Sequence, residues 1–396
     1  MDSSAASIPA WLLRHLQQVG EPVAFSRYMD WVLNDPEGGY YGSGAAAIGP
    51  AGDFATSPSL GQDFGALLAA QLAVWLRPLS ARTGPLSVVD IGPGEADLAV
   101  ALAESLPGLC PGFADRLELV LVERNPGMQR RQQERLAGCS ALKVRWSSWD
   151  ELQRNPLQGV LLAHELLDAL PVDRLIWQDQ QLRLQTVAWE PDQGLRLDQR
   201  ALPSELAASI AAWSASTGCA LPPAGADEGW TSEWHSALPT WMDEASAALT
   251  KGWLLVIDYA LEAARYYTPR RSQGTLMTYR QQRAGEDPLA YPGESDITAH
   301  LCIESVTASA AAAGWTVLDQ RRQGEALLAL GLAQRLHALQ GLPSHQLSEA
   351  LQRREALLRL VDPGALGEFR WLLFGRGVDE RFSAPETPDN PGFAPG

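Results

Sequence analysis

From Leu86 onward the apolar positions fall into short continuous runs set between longer amphipathic stretches. "LSVVDIG" (86–92) has the unbroken apolar character of a strand covered on both faces. After it, Leu98, Leu102 and Leu106 recur at four-residue spacing and predict a helix stopped by Pro107-Gly108. A second strand is "LELVLVE" (117–123), and Asn125-Pro126 offers a capping side chain and a first-turn proline to the helix "GMQRRQQERL". "KVRWSS" and "GVLLAHE" supply the next two strands. This alternation of strand and helix dictates a parallel sheet with right-handed crossovers.

The pattern then breaks into an insertion. It opens with a hairpin in "PVDRLIWQDQQLRLQTVAWE" and continues as a Trp- and Ala-rich stretch to about Ala248, before "GWLLVIDYA" resumes the sheet. "WTVLDQRR" and "FRWLLFGRG" supply the last strands, separated by helices with Leu328, Leu332, Leu336 and Leu339 on one face. Ahead of the sheet, amphipathic segments lead into "NDPEGGYYGSGAAAIGPAGDFATSPSL", whose glycines and prolines mark a long loop or lid. The Pro- and Gly-rich end from about Arg381 reads as a mobile tail. The expected division is a cap and lid loop over 1–80, a first part of the core over 81–190, an insertion over 191–250, a second part of the core over 251–380 and the tail over 381–396.

Composition narrows the partners. The chain has 396 residues, 46% hydrophobic and 20% charged, and 14 tryptophans, enough to bury a large core. A formal charge of −16 repels polyanions and argues against nucleic acid. Cys110, Cys139, Cys219 and Cys302 are scattered, with no C-x-x-C pair, so neither a zinc knuckle nor a disulfide framework is expected, and no metal site. The opening "MDSSAASIPAWLLRHLQQVG" lacks the features of a signal peptide, a transit peptide or a membrane span, and a cytoplasmic location is the expectation.

The stretch "VVDIGPGEAD" (88–97) is a strand, a glycine turn and a helix start. A dinucleotide site wants G-x-G-x-x-G, but the third glycine position is Asp97 and Glu95 lies beside it, so two carboxylates oppose a pyrophosphate. S-adenosylmethionine carries no phosphate and has a positive sulfonium. Asp90, Gly92 and Gly94 then allow close backbone approach beside a negative charge, and Glu123, ending the second strand, is placed to accept from both ribose hydroxyls. The bland alternative is that the two glycines only make a tight turn.

The segments "GGYYGSG", "GDFATSP" followed by "DFG", "VVDIGPG", "HELLDALPVDRL", "LLVIDYA", "GTLMTYR" and "PGESDITAH" occur in the order found in the MidA-like family of class I S-adenosylmethionine-dependent methyltransferases, which the chain resembles from about Pro22 to Leu330. The resemblance implies an α/β, Rossmann-like class I methyltransferase sheet, mostly parallel with seven strands, carrying an N-terminal cap and an inserted subdomain. Mitochondrial members of the family act in assembly of respiratory complex I by methylating an arginine of a core subunit. By analogy the acceptor here is a protein side chain, in a bacterium the corresponding subunit of an NADH dehydrogenase-like complex. This chain departs from the family pattern at Ala96, His164, Ala260, Cys302 and Ser59. The alanine at 96 is tolerable if its φ is negative.

Methyl transfer from a sulfonium is an in-line displacement that depends on alignment. An arginine acceptor, with a pKa above ~12, needs carboxylates to orient its charge. Glu165 and Asp168, at the carboxyl end of the fourth strand and within the family motif, are the candidates for gripping the acceptor. Gly52, Asp53, Thr56 and Ser57 are candidates to fold over the cofactor, and Tyr40 and Tyr41 to close the site against water or simply to plug the core. His164, Asp258 and Tyr259 are candidates to line the acceptor channel, with a structural role open for each. His300 reads as a capping or buried hydrogen-bonding histidine. Two rival readings stand beside the protein arginine methyltransferase: a non-catalytic assembly factor or scaffold with the same fold, and a nicotinamide oxidoreductase.

Overall fold

The computed structural model describes residues 8–44, 46, 49, 56–81 and 83–382. Seven strands form the central sheet: β1 (Leu86–Ile91), β2 (Leu117–Val122), β3 (Lys143–Ser147), β4 (Leu157–His164), β5 (Leu249–Asp258), β6 (Thr316–Arg322) and β7 (Arg370–Arg376), in the order β6-β7-β5-β4-β1-β2-β3. β7 runs antiparallel to both its neighbours, and the pairs from β5 to β3 are parallel. The strand order reverses between β1 and β4, and a ligand crevice opens at the carboxyl ends of strands flanking such a point.

The unbroken apolar runs have a simple cause. Val88, Leu119, Leu162 and Leu255 point into one buried cluster, whereas Val89, Val120, Leu161 and Leu254 point into another on the opposite face. With helices on both sides, successive residues of each strand are buried in turn, so polar alternation has no place to occur.

Helix α1 (Ala10–Val19) and α2 (Phe25–Asn34) form the cap, and α3 (Gln62–Leu79) precedes β1. Helix α4 (Asp97–Leu109) follows β1 and runs through Pro107, ending two residues later than the proline suggests. Proline near a helix end removes a donor but leaves the last carbonyls free to bond elsewhere. Helix α5 (Pro126–Leu136) is capped by the Asn125 side chain, which accepts from the amides of Gly127 and Met128. The leucine periodicity at 328–339 does not make one helix, because Gly331 sits at φ 100° and separates Gln323–Ala329 from Leu332–Ala338, leaving Leu328 exposed.

The insertion begins earlier than the expected boundary at 190. Strands Asp173–Gln178 and Gln181–Glu190 pair with Thr231–Trp234 and with Val23–Ala24 of the cap, not with the central sheet. Cap and insertion therefore share one sheet and one apolar cluster, in which Leu12, Phe25, Tyr28 and Tyr40 meet Val172, Val187 and Ile297. A small sheet of Arg283–Gly285, Met277–Arg280 and Asp296–Thr298 lies beside that cluster.

At the centre of the main sheet two glycines lie side by side. Gly159 of β4 (φ 146°) faces Ser87 of β1 and Gly252 of β5 (φ 140°), and a Cβ on Gly159 would stand 1.9 Å from the Ser87 carbonyl oxygen. Both steric overlap and a backbone conformation foreign to alanine oppose substitution. Gly159→Ala should lower the unfolding free energy by about 3 kcal/mol, read from the urea midpoint.

Candidate active site

The glycine turn after β1 is left-handed at three places: Gly92 (φ 67°), Gly94 (φ 53°) and Ala96 (φ 66°). The expectation of a negative φ at Ala96 is therefore wrong. Its methyl is buried in the core against α3 and α4, and that packing offsets a backbone strain of ~1–2 kcal/mol. Gly92 has no room for a side chain, since a Cβ would meet Leu166 Cδ1 at 2.7 Å.

Two carboxyls flank this turn. Asp90 is buried, its Oδ2 has no hydrogen-bond partner among the described residues, and burial pushes its carboxyl up to about 7. An orphaned buried oxygen beside an open turn is the environment a hydrogen-donating cation satisfies. Glu123, just beyond β2, is raised by burial and held from two sides: Oε1 accepts from the Asn125 amide at 2.8 Å and Oε2 from Gln132 Nε2 at 3.1 Å. Gln132 also donates to the Gly94 carbonyl at 2.9 Å and accepts from Trp146 Nε1 at 2.9 Å, which ties turn and carboxylate together. The sequence reading missed Gln132; its partners depend on how α5 is rotated against β2, which periodicity does not specify. Asp90, Gly92 and Gly94 at the end of β1 and Glu123 at the end of β2 are thus linked through Gln132, and they offer the acceptors that the ammonium and ribose hydroxyls of S-adenosylmethionine would take.

Glu95 and Asp97 do not oppose a diphosphate in the way their charges suggest. Glu95 pairs with Arg131 at 3.2 Å, and Asp97 pairs with Arg135. Discrimination against diphosphate rests instead on Asp90 and Glu123, neither of which faces an arginine at salt-bridge distance.

A second cavity, of about 90 Å³, lies beyond the ends of β4 and β5 and is lined by Tyr41, Glu165, Asp168, Tyr259, Thr275, Met277, Tyr279, Asp296, Thr298 and His300. Its far wall follows from strand geometry. Met277 pairs with Thr298 and Tyr279 with Asp296, so alternate residues of two short strands face the same way. Asp296, Tyr279 and the half-buried His300 ring belong to this cavity and were not singled out as site residues from the sequence. The only signal was their period of two within the short segments "MTYR" and "DITAH".

Glu165 is held in a left-handed conformation (φ 47°), with its amide donating to the Ile257 carbonyl at 2.9 Å. Strain of this kind collects at functional sites. Its side chain is 8% exposed, Oε1 accepts from the Ser57 amide at 3.1 Å, and burial together with Asp258 drives the carboxyl up to about 8. Asp168 is raised by burial and by Asp258, Asp296 and Glu165. Tyr41 shares a hydrogen bond with Asp296.

Several expected contacts resolve differently. Asp258 does not line the cavity: its Oδ2 accepts from the amides of Leu167 and Asp168 at 3.0 and 3.2 Å and its Oδ1 from Tyr259 at 2.8 Å, so it fixes the loop that carries Asp168. His164 lies at the end of β4 with its ring edge-on against Phe64 and is not among the residues that line the acceptor cavity, although its Nε2 stands 3.4 Å from Glu165 Oε1. Tyr40 is 2% exposed in the cap core, leaving Tyr41 alone of the pair at the cavity. Ser57 touches Glu165 and Gln323, and Thr56 closes a turn with Ser59, whose hydroxyl accepts from the Thr56 amide at 2.9 Å. Gly52 and Asp53 lie outside the described residues. The His300 ring is pushed down to about 4 by burial and by Arg271, and is neutral.

The loop that carries Tyr41 is tied to α5. Asn125 Nδ2 donates to the carbonyls of Tyr41 and Gly42, and Arg131 donates to those of Gly44 and Ala46 at 3.2 Å. The helix that flanks Glu123 therefore also holds Tyr41 in place.

Comparison with known proteins agrees with this geometry. A family model for S-adenosyl-L-methionine-dependent methyltransferases matches residues 67–320. The chain is 28% identical over 195 residues to a protein arginine methyltransferase, mitochondrial, of Danio rerio, a match covering 43% of this chain and 45% of that protein. It is 30% identical over 200 residues to the Xenopus tropicalis counterpart, covering 44% of each. The matches thus span less than half the length of these relatives. Among solved structures, a Burkholderia thailandensis protein bound to S-adenosyl-homocysteine superposes with a TM-score of 0.83 at 30% identity, over 95% of this chain and 93% of that one. A second structure from that organism gives 0.79 at 27% identity, with the same coverage. The chain belongs to the MidA-like family of S-adenosyl-L-methionine-dependent methyltransferases, and S-adenosylmethionine is its cofactor.

Proposed function

We propose that this chain methylates an arginine side chain of a protein, in the cytoplasm, with a subunit of an NADH dehydrogenase-like complex as the acceptor suggested by its mitochondrial relatives. The observation that carries the reading is the second cavity. Glu165, Asp168 and Asp296 converge on a small space walled by Tyr41, Tyr259 and Tyr279, with no lysine or arginine among the described residues that line it. Glu165 and Asp168 are buried with no lysine or arginine at salt-bridge distance among the described residues, which is costly, and a guanidinium entering from solution supplies the charge and a fork of donors for them.

Bound S-adenosylmethionine supplies an electrophilic methyl group on a sulfonium. The chain's own residues then align the acceptor nitrogen and exclude water. Asp258 fixes the loop of Asp168, the Ser57 amide fixes Glu165, and Tyr41, clamped by Asn125 and bonded to Asp296, closes the outer side. Alignment of this kind accounts for much of the rate advantage in a displacement that needs no enzyme nucleophile.

Glu165→Gln should leave S-adenosylmethionine affinity unchanged in calorimetry and reduce radiolabel transfer to protein in a lysate of cells lacking this chain by about 10²-fold or more. Full-rate transfer by the variant would overturn the role of Glu165. Cofactor binding without label on any protein from the wild type would favour the scaffold, and label on lysine or a terminus would overturn the acceptor class.

The raised carboxyls give a pH dependence of known sign. A neutral Glu165 must lose its proton before it can pair with a guanidinium. Acceptor KM should therefore fall as pH rises toward about 8 and level off above it. The slope is about tenfold per pH unit for each proton displaced. Initial rates with an acceptor peptide across this range check the prediction, and Glu165→Gln should flatten the curve.

A further inference from the structure

His164 plays no part in the reaction as described so far, yet its ring stands beside Glu165 with one nitrogen uncommitted. The imidazole bonds to its own backbone carbonyl. Because Nε2 has no hydrogen-bond partner among the described residues, that bond falls to the Nδ1 proton, and the lone pair is on Nε2. Nε2 is buried, has no hydrogen-bond partner among the described residues, and stands 3.4 Å from Glu165 Oε1. Phe64 packs edge-on against the ring at 5.3 Å.

Two lone-pair atoms facing each other in an apolar surrounding repel unless a proton lies between them. The other groups around Glu165 offer no relief. Asp258 and Asp168 are acidic, Tyr259 and Tyr279 are electrostatically coupled to it, and the Ser57 amide donates to the same Oε1. No cation is among these neighbours. A protonated Oε1 satisfies every contact at once, donating to Nε2 and accepting from Ser57, with a small side-chain rotation shortening the 3.4 Å gap.

We infer that Glu165 and His164 act as one proton-holding unit: in the empty site Glu165 is a neutral carboxyl donating to His164 Nε2, and the same unit receives the proton that the acceptor gives up. The second half rests on the arginine reading of the site. When a guanidinium binds, its charge displaces the Glu165 proton to solvent. On transfer, the bond from sulfur to methyl carbon breaks and its electron pair stays on sulfur. A bond from nitrogen to methyl carbon forms, and the N–H proton passes to Glu165 Oε1, where the His164 lone pair holds it. Methylguanidinium leaves with the charge the acceptor brought, so atoms and charge balance. His164 is a positioning residue that makes Glu165 a stronger base. Its own ring stays neutral, since burial pushes it down to about 3.

The test needs no methyl transfer. Infrared difference spectra between the wild type and Glu165→Gln, with cofactor and acceptor absent, should show a neutral carboxyl band that titrates near pH 8. In histidine-labelled protein, the ¹⁵N resonance of His164 Nε2 should be that of an unprotonated nitrogen and should move with the same midpoint. His164→Gln places an amide donor near Oε1 and should lower the midpoint by about one unit, with an equal shift in the acidic limb of kcat/KM for the acceptor. An Nε2–H tautomer, or a carboxyl midpoint unmoved in His164→Gln, overturns the inference. Should that variant fail to fold, the wild-type nitrogen resonance and the Glu165→Gln difference decide it. Coupled titration in a protein that never labels arginine supports the proton pair and strikes only the reading of the preceding section.

Discussion

The organising constraint is the withdrawal of carboxyl groups from water at the carboxyl ends of the central strands without matching cations. Asp90, Glu165, Asp168 and Asp258 are all buried or nearly so, with no lysine or arginine at salt-bridge distance among the described residues. An isolated carboxylate in such a place is untenable, so each group must be protonated, bonded to amides or completed by a ligand. The chain uses all three means. Asp258 is held by three backbone amides. Glu165 is raised in pKa. Asp90 Oδ2 has no hydrogen-bond partner among the described residues and is left for a ligand to complete.

This arrangement follows from the topology. The strand reversal between β1 and β4 opens the sheet near Asp90 and Glu165, and the short strands between β5 and β6 bring Tyr279, Asp296 and His300 to the cavity. Because the cap lends Val23–Ala24 to the inserted sheet, the two outer parts form one body over the crevice. The central sheet itself brings Glu165, Asp168 and Asp258 together, and Asp296 reaches the same cavity from the short strands after β5.

Much of the core was legible because its strands are covered on both faces, so Val88 to Ile91 and Leu119 to Val122 show as plain apolar runs. Glu165 and Asp168 were legible because they follow such a run directly. Asp296 and Tyr279 were not, since three- and four-residue strands carry too little periodicity to be told from loop. His164 and Glu165 are neighbours in sequence, and alternation along a strand predicts that they diverge; the left-handed turn at Glu165 bends its carboxyl back toward the ring. The strain at Ala96 was hidden for a related reason: sequence names the residue but not the sign of its torsion.

Asn125 does two jobs with one amide. Its oxygen caps α5 while its nitrogen grips the carbonyls of Tyr41 and Gly42. An aspartate would serve the helix equally well and release the loop, because a carboxylate has nothing to donate. The residue's identity thus makes the helix start and the loop a single mechanical joint. Whatever steadies Glu123 on one side of that joint also steadies the aromatic wall on the other, so the two binding partners of this enzyme fold meet a surface that stiffens as a whole.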